Sequence, residues 1–260
     1  MAELGPLILA GSGEYTPTMD LVDRYLVDRL KGRPILLIAT SCAQEGLDVM
    51  ERWEQMGIAH FRRLGVEATP LRICDHDDAD QPENAERIAE AGIVWFSGGS
   101  PPYLAQAFEH TLSFRALEAA NRDGAAVAGS SGGLGVLNVH IPNPNLGLPQ
   151  NTTAVGPSVR PEGTTGLGLA SPLRAMAHFD RMETRRPEGI QRTVSSLREG
   201  QKAVGVDEDT AVVWTEGAWR VMGHKRLVVY ESDLTRTIFR NGDVVEILPP
   251  PERLDPPAAK

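Results

Sequence analysis

The sequence predicts an α/β protein with a mostly parallel central sheet and helices on both of its faces. Three observations carry that prediction. Short apolar runs alternate with segments whose apolar residues fall at helical spacing. The runs show no polar alternation, as expected of strands covered on both sides. Several of them end abruptly in glycine and serine, the residues of tight turns.

The elements follow in order. Leu7-Ile8-Leu9-Ala10 is the first strand, and it stops at Gly11-Ser12-Gly13. Thr16 to Leu30 is a helix, with Leu21, Val22, Tyr25, Leu26 and Leu30 at helical spacing. Pro34 to Ala39 is the second strand. Leu47 to Leu64 is a helix with Met50, Trp53, Met56, Ile58 and Phe61 as its apolar positions. Ala68 to Ile73 is the third strand, and the Asp75 to Asp80 run after it reads as a solvated loop. Pro82 to Ala91 is a helix with a proline near its start. Ile93 to Phe96 is the fourth strand, and Gly98-Gly99 ends it. Pro101 to His110 and Leu112 to Asn121 are helical. Ala125 to Ala128 is the fifth strand, followed at once by Gly129-Ser130-Ser131-Gly132-Gly133.

Residues 140–172 are rich in Pro, Gly, Asn and Thr and read as a long irregular loop, expected to cover the site and help to choose the substrate. Arg185 to Arg198 reads as a helix. From Val204 the pattern is strands: Ala211 to Trp214, Trp219 to Met222, Leu227 to Tyr230, Thr237 to Phe239 and Val244 to Leu248. They are expected either to extend the main sheet or to form a small antiparallel layer. One domain is expected over residues 1–248, with a frayed Pro-rich tail over 249–260.

Composition narrows the function. The 260 residues hold 26 Lys plus Arg against 35 Asp plus Glu, a net charge of −9. That balance argues against nucleic acid or an anionic membrane as the main partner. No apolar run approaches the ~20 residues needed to span a bilayer. Met1 to Pro6 does not read as a signal peptide, and Cys42 and Cys74 read as free thiols, so a reducing cytoplasm is expected. There is no metal-ligand spacing and no Walker loop, and Gly11-Ser12-Gly13-Glu14 has Thr16 where a dinucleotide fingerprint needs its third glycine. Neither metal nor cofactor is expected.

A ligand of a parallel sheet sits at the carboxyl ends of the strands. Here those ends carry Gly11 to Gly13, Thr40-Ser41, Ser97 to Ser100 and Gly129 to Gly133. The last fits Gly-x-Ser-x-Gly between a strand and a helix, the context of a nucleophile elbow with Ser131 at its tip. Ser130 sits one residue early and is the weaker choice. A serine nucleophile needs a base, and His140, His178 and His224 follow it. His178 lies in an apolar segment, where a satisfied core histidine is the plain alternative. An acid must orient the imidazole. Glu162 lies in the loop, and Asp207-Glu208-Asp209 is a solvated turn or a source of that acid. The pattern leaves two triads open: Ser131–His178–Glu208 and Ser131–Glu208–His224. Ser97 to Ser100 is the best source of a second oxyanion donor.

Taken together, these segments resemble cyanophycinase and the dipeptidase E family, serine peptidases with a class I glutamine-amidotransferase-like fold. Leu7 to Glu14 resembles that family's opening strand and Gly-Gly-Gly-Glu turn. Ile93 to Ser100 resembles its strand ending in Gly-Gly, and Ala126 to Leu134 its nucleophile motif. His178-Phe179 matches its His-Phe, Val204 to Val213 its Asp-Glu segment, and Trp219 to Tyr230 its closing strands. The resemblance implies a three-layer α/β/α fold with extra C-terminal antiparallel strands. It implies a triad of Ser131, His178 and Glu208, with the N–H groups of Gly99 and Gly132 as oxyanion donors, and a homodimer. It also places Ser100 at a substrate-contacting position. Ser100-Pro101, Met176-Ala177 and Met182, Thr184 and Pro187 replace the family's recognition residues. The expected function is therefore hydrolysis of a small peptide or amide other than cyanophycin. A catalytically silent ligand-binding or structural subunit, and an ester or lactone hydrolase, are the alternatives.

Overall fold

The computed structural model describes residues 4–141 and 164–251. The first half alternates as the sequence predicts. The strands are β1 (Leu7–Ala10), β2 (Ile35–Ile38), β3 (Ala68–Pro70), β4 (Ile93–Phe96) and β5 (Ala126–Ser130). The helices are α1 (Asp20–Val27), α2 (Leu47–Arg63), α3 (His76–Ala79), α4 (Pro82–Glu90), α5 (Pro101–Phe108), α6 (Leu112–Arg122) and α7 (Gly132–Leu137). Beyond them come β6 (His140–Ile141), β7 (Thr164–Thr165), β8 (Leu173–Met176), α8 (Phe179–Arg185), α9 (Pro187–Ser195) and β9 (Lys202–Val206). The closing strands are β10 (Thr210–Thr215), β11 (Ala218–Gly223), β12 (Arg226–Tyr230) and β13 (Arg236–Arg240).

The main sheet has seven strands in the order β11-β10-β1-β5-β4-β2-β3. The five strands of the first half run parallel, and β10 and β11 extend that sheet antiparallel to β1. Side chains alternate between its two faces, as strand geometry dictates. Leu7, Leu9, Leu36, Ile38, Val94, Phe96 and Val127 pack against Ile88, Leu104, Phe108, Leu117 and Leu134 of α4 to α7. Ile8, Ala10, Ile35, Leu37, Ile93, Trp95 and Ala128 pack against Val22, Leu26 and Phe61 of α1 and α2. Both faces are thus covered, which is why these strands read as unbroken apolar runs.

Both expectations for the C-terminal strands hold at once. β10 and β11 join the main sheet, while β9, β12 and β13 pair antiparallel in a second sheet of order β13-β12-β9-β8, whose fourth strand, β8, runs parallel to β9. One face of it, with Val204, Val206, Leu227, Val229 and Leu173, joins the main core. The other, with Ala203, Val228 and Tyr230, packs on Phe179, Ile190 and Val194 of α8 and α9.

Several element boundaries differ from the expectation. The helix expected from Thr16 opens instead with a 3-10 turn at Pro17–Met19, because Thr16 is extended before the proline. The third strand stops at Pro70, although Leu71 still donates to the Leu37 carbonyl at 2.9 Å. The Asp75 to Asp80 run holds α3, whose N-terminus Asp75 caps by accepting from Asp78 N. The helix expected over Arg185 to Arg198 is α9, and α8 precedes it. Val244 to Leu248 is not a strand: a single bridge joins Arg220 to Val244. Val245 and Leu248 are buried while Val244 and Ile247 are exposed, which is the spacing of a turn. Within 140–172, β6 pairs with β7, and residues 142–163, Glu162 among them, lie outside the described residues. Of the tail, Pro249 accepts from Trp219 Nε1 at 2.8 Å, and residues 252–260 lie outside the described residues.

Candidate active site

The carboxyl ends of β1, β2, β4 and β5 meet at one edge of the main sheet, and the second sheet brings its own loops to the same place. β5 ends at Ser130 and α7 begins at Gly132, so the chain must reverse within one residue. That residue is Ser131, with φ 52 and ψ −110. This conformation is strained for a side-chain-bearing residue, and strain of this kind marks functional positions. The reversal presses the backbone together: a Cβ on Gly129 would stand 2.2 Å from the Gly133 carbonyl oxygen.

His178 follows β8 in the left-handed region, with φ 49 and ψ 40, and starts α8. Its backbone N–H donates to the Gly11 carbonyl at 3.1 Å. Glu208 lies in the turn between β9 and β10. The next residue, Asp209, has φ 56 and donates to the Ser12 carbonyl at 3.1 Å. The loop after β1 therefore anchors both segments. Ser131 Oγ lies 2.8 Å from His178 Nε2, and His178 Nδ1 lies 2.7 Å from Glu208 Oε1. The His178 side chain is 39% exposed and that of Glu208 15%, so the imidazole is open to a substrate and the acid is shielded behind it. Arg181 Nε sits 3.0 Å from the same Glu208 oxygen. Asp180 Oδ1 accepts from Glu208 N at 3.3 Å and its Oδ2 from Lys225 Nζ at 2.6 Å. Burial opposes ionisation of Asp180, but Lys225 and the Glu208 amide outweigh it and hold the carboxyl below its ordinary value.

The other candidates stand elsewhere. Ser130 is buried and its hydroxyl donates to Glu14 Oε2 at 2.5 Å. His140 lies in β6, where burial and the nearby Arg174 and Arg198 lower its pKa. His224 is exposed, and its backbone N–H donates to Asp209 O at 2.8 Å. Ser100 Oγ accepts from Tyr103 N at 3.4 Å and caps α5. Gly99 has φ 139, and Gly132 is the first residue of α7. Among the described residues neither the Gly99 nor the Gly132 N–H donates a hydrogen bond. The two backbones touch, since a Cβ on Gly132 would stand 2.8 Å from Gly99 N. Among the described residues, no three His, Cys, Asp or Glu side chains cluster to hold a metal ion.

Glu14 is the residue that pattern reading gave no role. It is 4% exposed, and its Oε1 accepts from Gly98 N at 3.0 Å while Oε2 binds Ser130. Its only sequence signal is an acid placed directly after a strand-ending Gly-Ser-Gly.

An elbow serine on an imidazole, itself on a carboxylate, at the carboxyl edge of a mainly parallel sheet is the arrangement of serine peptidase-like hydrolases. The comparisons agree with that class. Residues 7–222 match the model of peptidase family S51, and the chain belongs to that family, which is the cyanophycinase and dipeptidase E family. It is similar to a crystallised peptidase from an acI-B1 Actinobacterium, with 29% identity and a TM-score of 0.82 over 94% of this chain and 97% of that one. A Listeria monocytogenes EGD-e protein described as a peptidase E shares the fold at 16% identity, with a TM-score of 0.60 over 86% of this chain and 100% of that one. A search of curated proteins found no match. No helix among the described residues is long and apolar enough to cross a membrane.

Proposed function

We propose that the chain cleaves an amide bond of a short peptide, or a related small amide, through Ser131, His178 and Glu208. The observation that carries this reading is the unbroken line Ser131 Oγ–His178 Nε2–His178 Nδ1–Glu208 Oε1, at 2.8 and 2.7 Å. Ser131 Oγ attacks the carbonyl carbon while its proton passes to His178 Nε2. Glu208 holds the Nδ1 proton and faces the imidazolium that forms. The carbonyl oxygen becomes an oxyanion, for which the N–H groups of Gly99 and Gly132 are the donors at hand. Collapse of the tetrahedral adduct passes the proton from His178 to the leaving amine and leaves an acyl-Ser131 ester. Water, deprotonated by His178, then releases the acid and restores the serine.

The substrate is one other than cyanophycin. Ser100, Pro101, Met176, Ala177, Met182, Thr184 and Pro187 stand where the family resemblance puts recognition residues, and Ser100 Oγ accepts from Tyr103 N in the α5 cap. The free thiols of Cys42 and Cys74 suit a reducing cytoplasm.

The test is fluorophosphonate labelling with peptide mapping of the adduct. Wild type labels at Ser131, and Ser131→Ala and His178→Ala do not. Glu208→Gln labels on the order of 10²–10⁴ slower, by analogy with loss of the orienting acid in other triads. A folded wild type that takes no label would falsify the hydrolase reading and leave a silent ligand-binding module.

A further inference from the structure

The Gly98–Gly99 peptide is held by side chains to which the hydrolytic reading gives no role. The Gly98 carbonyl accepts from Ser41 Oγ at 2.6 Å, a hydroxyl shared with the Ser97 carbonyl at 2.9 Å, and from Cys42 Sγ at 2.9 Å. The Gly98 N–H, part of the preceding Ser97–Gly98 peptide, donates to Glu14 Oε1 at 3.0 Å. Ser100 N donates to the Ser41 carbonyl at 2.8 Å and completes the stitching of this loop to the end of β2. Ser41 and Cys42 are each 1% exposed and Glu14 4%, so water does not compete for these contacts.

The arrangement matters because of what a Gly-Gly peptide can do. With no Cβ on either side, such a peptide rotates between orientations that other residue pairs forbid. Its N–H and C=O point in opposite directions across the trans bond. A flip would therefore turn the Gly99 N–H away from the reacting carbonyl and present an oxygen in its place. Here the Gly98 carbonyl is drawn toward Ser41 and Cys42, so the Gly99 N–H faces the opposite side. The elbow is close by: a Cβ on Gly132 would stand 2.8 Å from Gly99 N, and one on Gly98 3.5 Å from Ser131 Oγ.

We propose that Ser41 and Cys42 are positioning residues that lock the Gly98–Gly99 peptide with the Gly99 N–H aimed at the oxyanion formed at Ser131, while Glu14 holds the peptide before it. The proposal rests on the hydrolase reading above. Burial pushes the Cys42 thiol up to about 11, so it keeps its hydrogen near neutral pH and remains a donor.

The experiment measures inactivation by a fluorophosphonate, resolving KI from the limiting rate kinact. In that reaction Ser131 Oγ bonds to phosphorus, fluoride leaves, His178 takes the serine proton, and the phosphoryl oxygen occupies the oxyanion position. Ser41→Ala and Cys42→Ala are compared with Cys42→Ser, which keeps a donor. Thermal melts check that each is folded. The alanine variants are expected to lose about 10- to 100-fold in kinact with KI unchanged, and Cys42→Ser to recover most of the loss. Folded variants that react like wild type, a loss carried by KI, or a Cys42→Ser as slow as Cys42→Ala overturns the positioning role. A wild type that never labels at Ser131 fails the hydrolase reading itself, and the proposal falls with it.

Discussion

Gly132→Ala adds one methyl group where the elbow has no room for it. A Cβ there would stand 2.3 Å from the Gly99 carbonyl oxygen and 2.8 Å from Gly99 N. Real Cβ contacts do not fall under 3.0 Å, so one of the two backbones must retreat by about 0.7 Å. No side chain can rotate away, because both neighbours are main chain. Residue 132 is fixed between Ser131 and α7, so the loop at Gly99 is the part that yields. A misplacement approaching 1 Å at a positioned group costs on the order of 10²-fold in rate. That is about 2.7 kcal/mol of transition-state stabilisation. The assay is the second-order rate of fluorophosphonate inactivation, with a thermal melt to show that the variant folds. A folded Gly132→Ala that reacts within about threefold of wild type would show that the contact between these backbones does not govern the oxyanion site. The close approach of Gly99 is thus tied to the glycine at 132.

Two further predictions concern the segment around His178. Phe179 is fully buried against Gly205 and 6.0 Å from the Tyr230 ring. Phe179→Ala is expected to cost about 3–5 kcal/mol in denaturant melts, and a loss below about 1 kcal/mol would mean that the ring does not fix the start of α8. Asp180 has its carboxyl held below the ordinary range, with burial opposed by Lys225 and the Glu208 amide. Because the folded value is the lower one, its contribution is complete above the ordinary aspartate value and is lost as pH falls through the folded value. Urea midpoints taken from about pH 6 down to about pH 3 should therefore fall less steeply in Asp180→Asn than in wild type; identical slopes contradict the pairing.

The parallel half of the fold was legible because each strand is buried on both faces and carries little but apolar residues. Ser131 was legible because a reversal within one residue demands small neighbours. His178 and Glu208 were not separable from their rivals by pattern. Each sits at a turn, His178 and Asp209 with positive φ, and turns leave no periodicity to read. β8 and β9, which carry them there, are four and five residues long and include Arg174, Lys202 and Gly205, so they do not read as strands. Only the motif order shared with a family chose His178 over His224. Val244 to Leu248 misled for the converse reason: an apolar run with inward positions three apart belongs to a turn that covers Trp219. Glu14 was unreadable because its partners, Gly98 and Ser130, lie 84 and 116 residues away.

The loop after β1 reaches the segments of His178 and Glu208 by main-chain bonds, from His178 N to Gly11 O and from Asp209 N to Ser12 O. Bonds of that kind survive almost any exchange of side chains. The chain can thus renew the walls of its cleft residue by residue while the spacing of the reacting groups stays put. In such a scaffold, selection for a new substrate and retention of the old chemistry act on different atoms, and neither has to wait for the other.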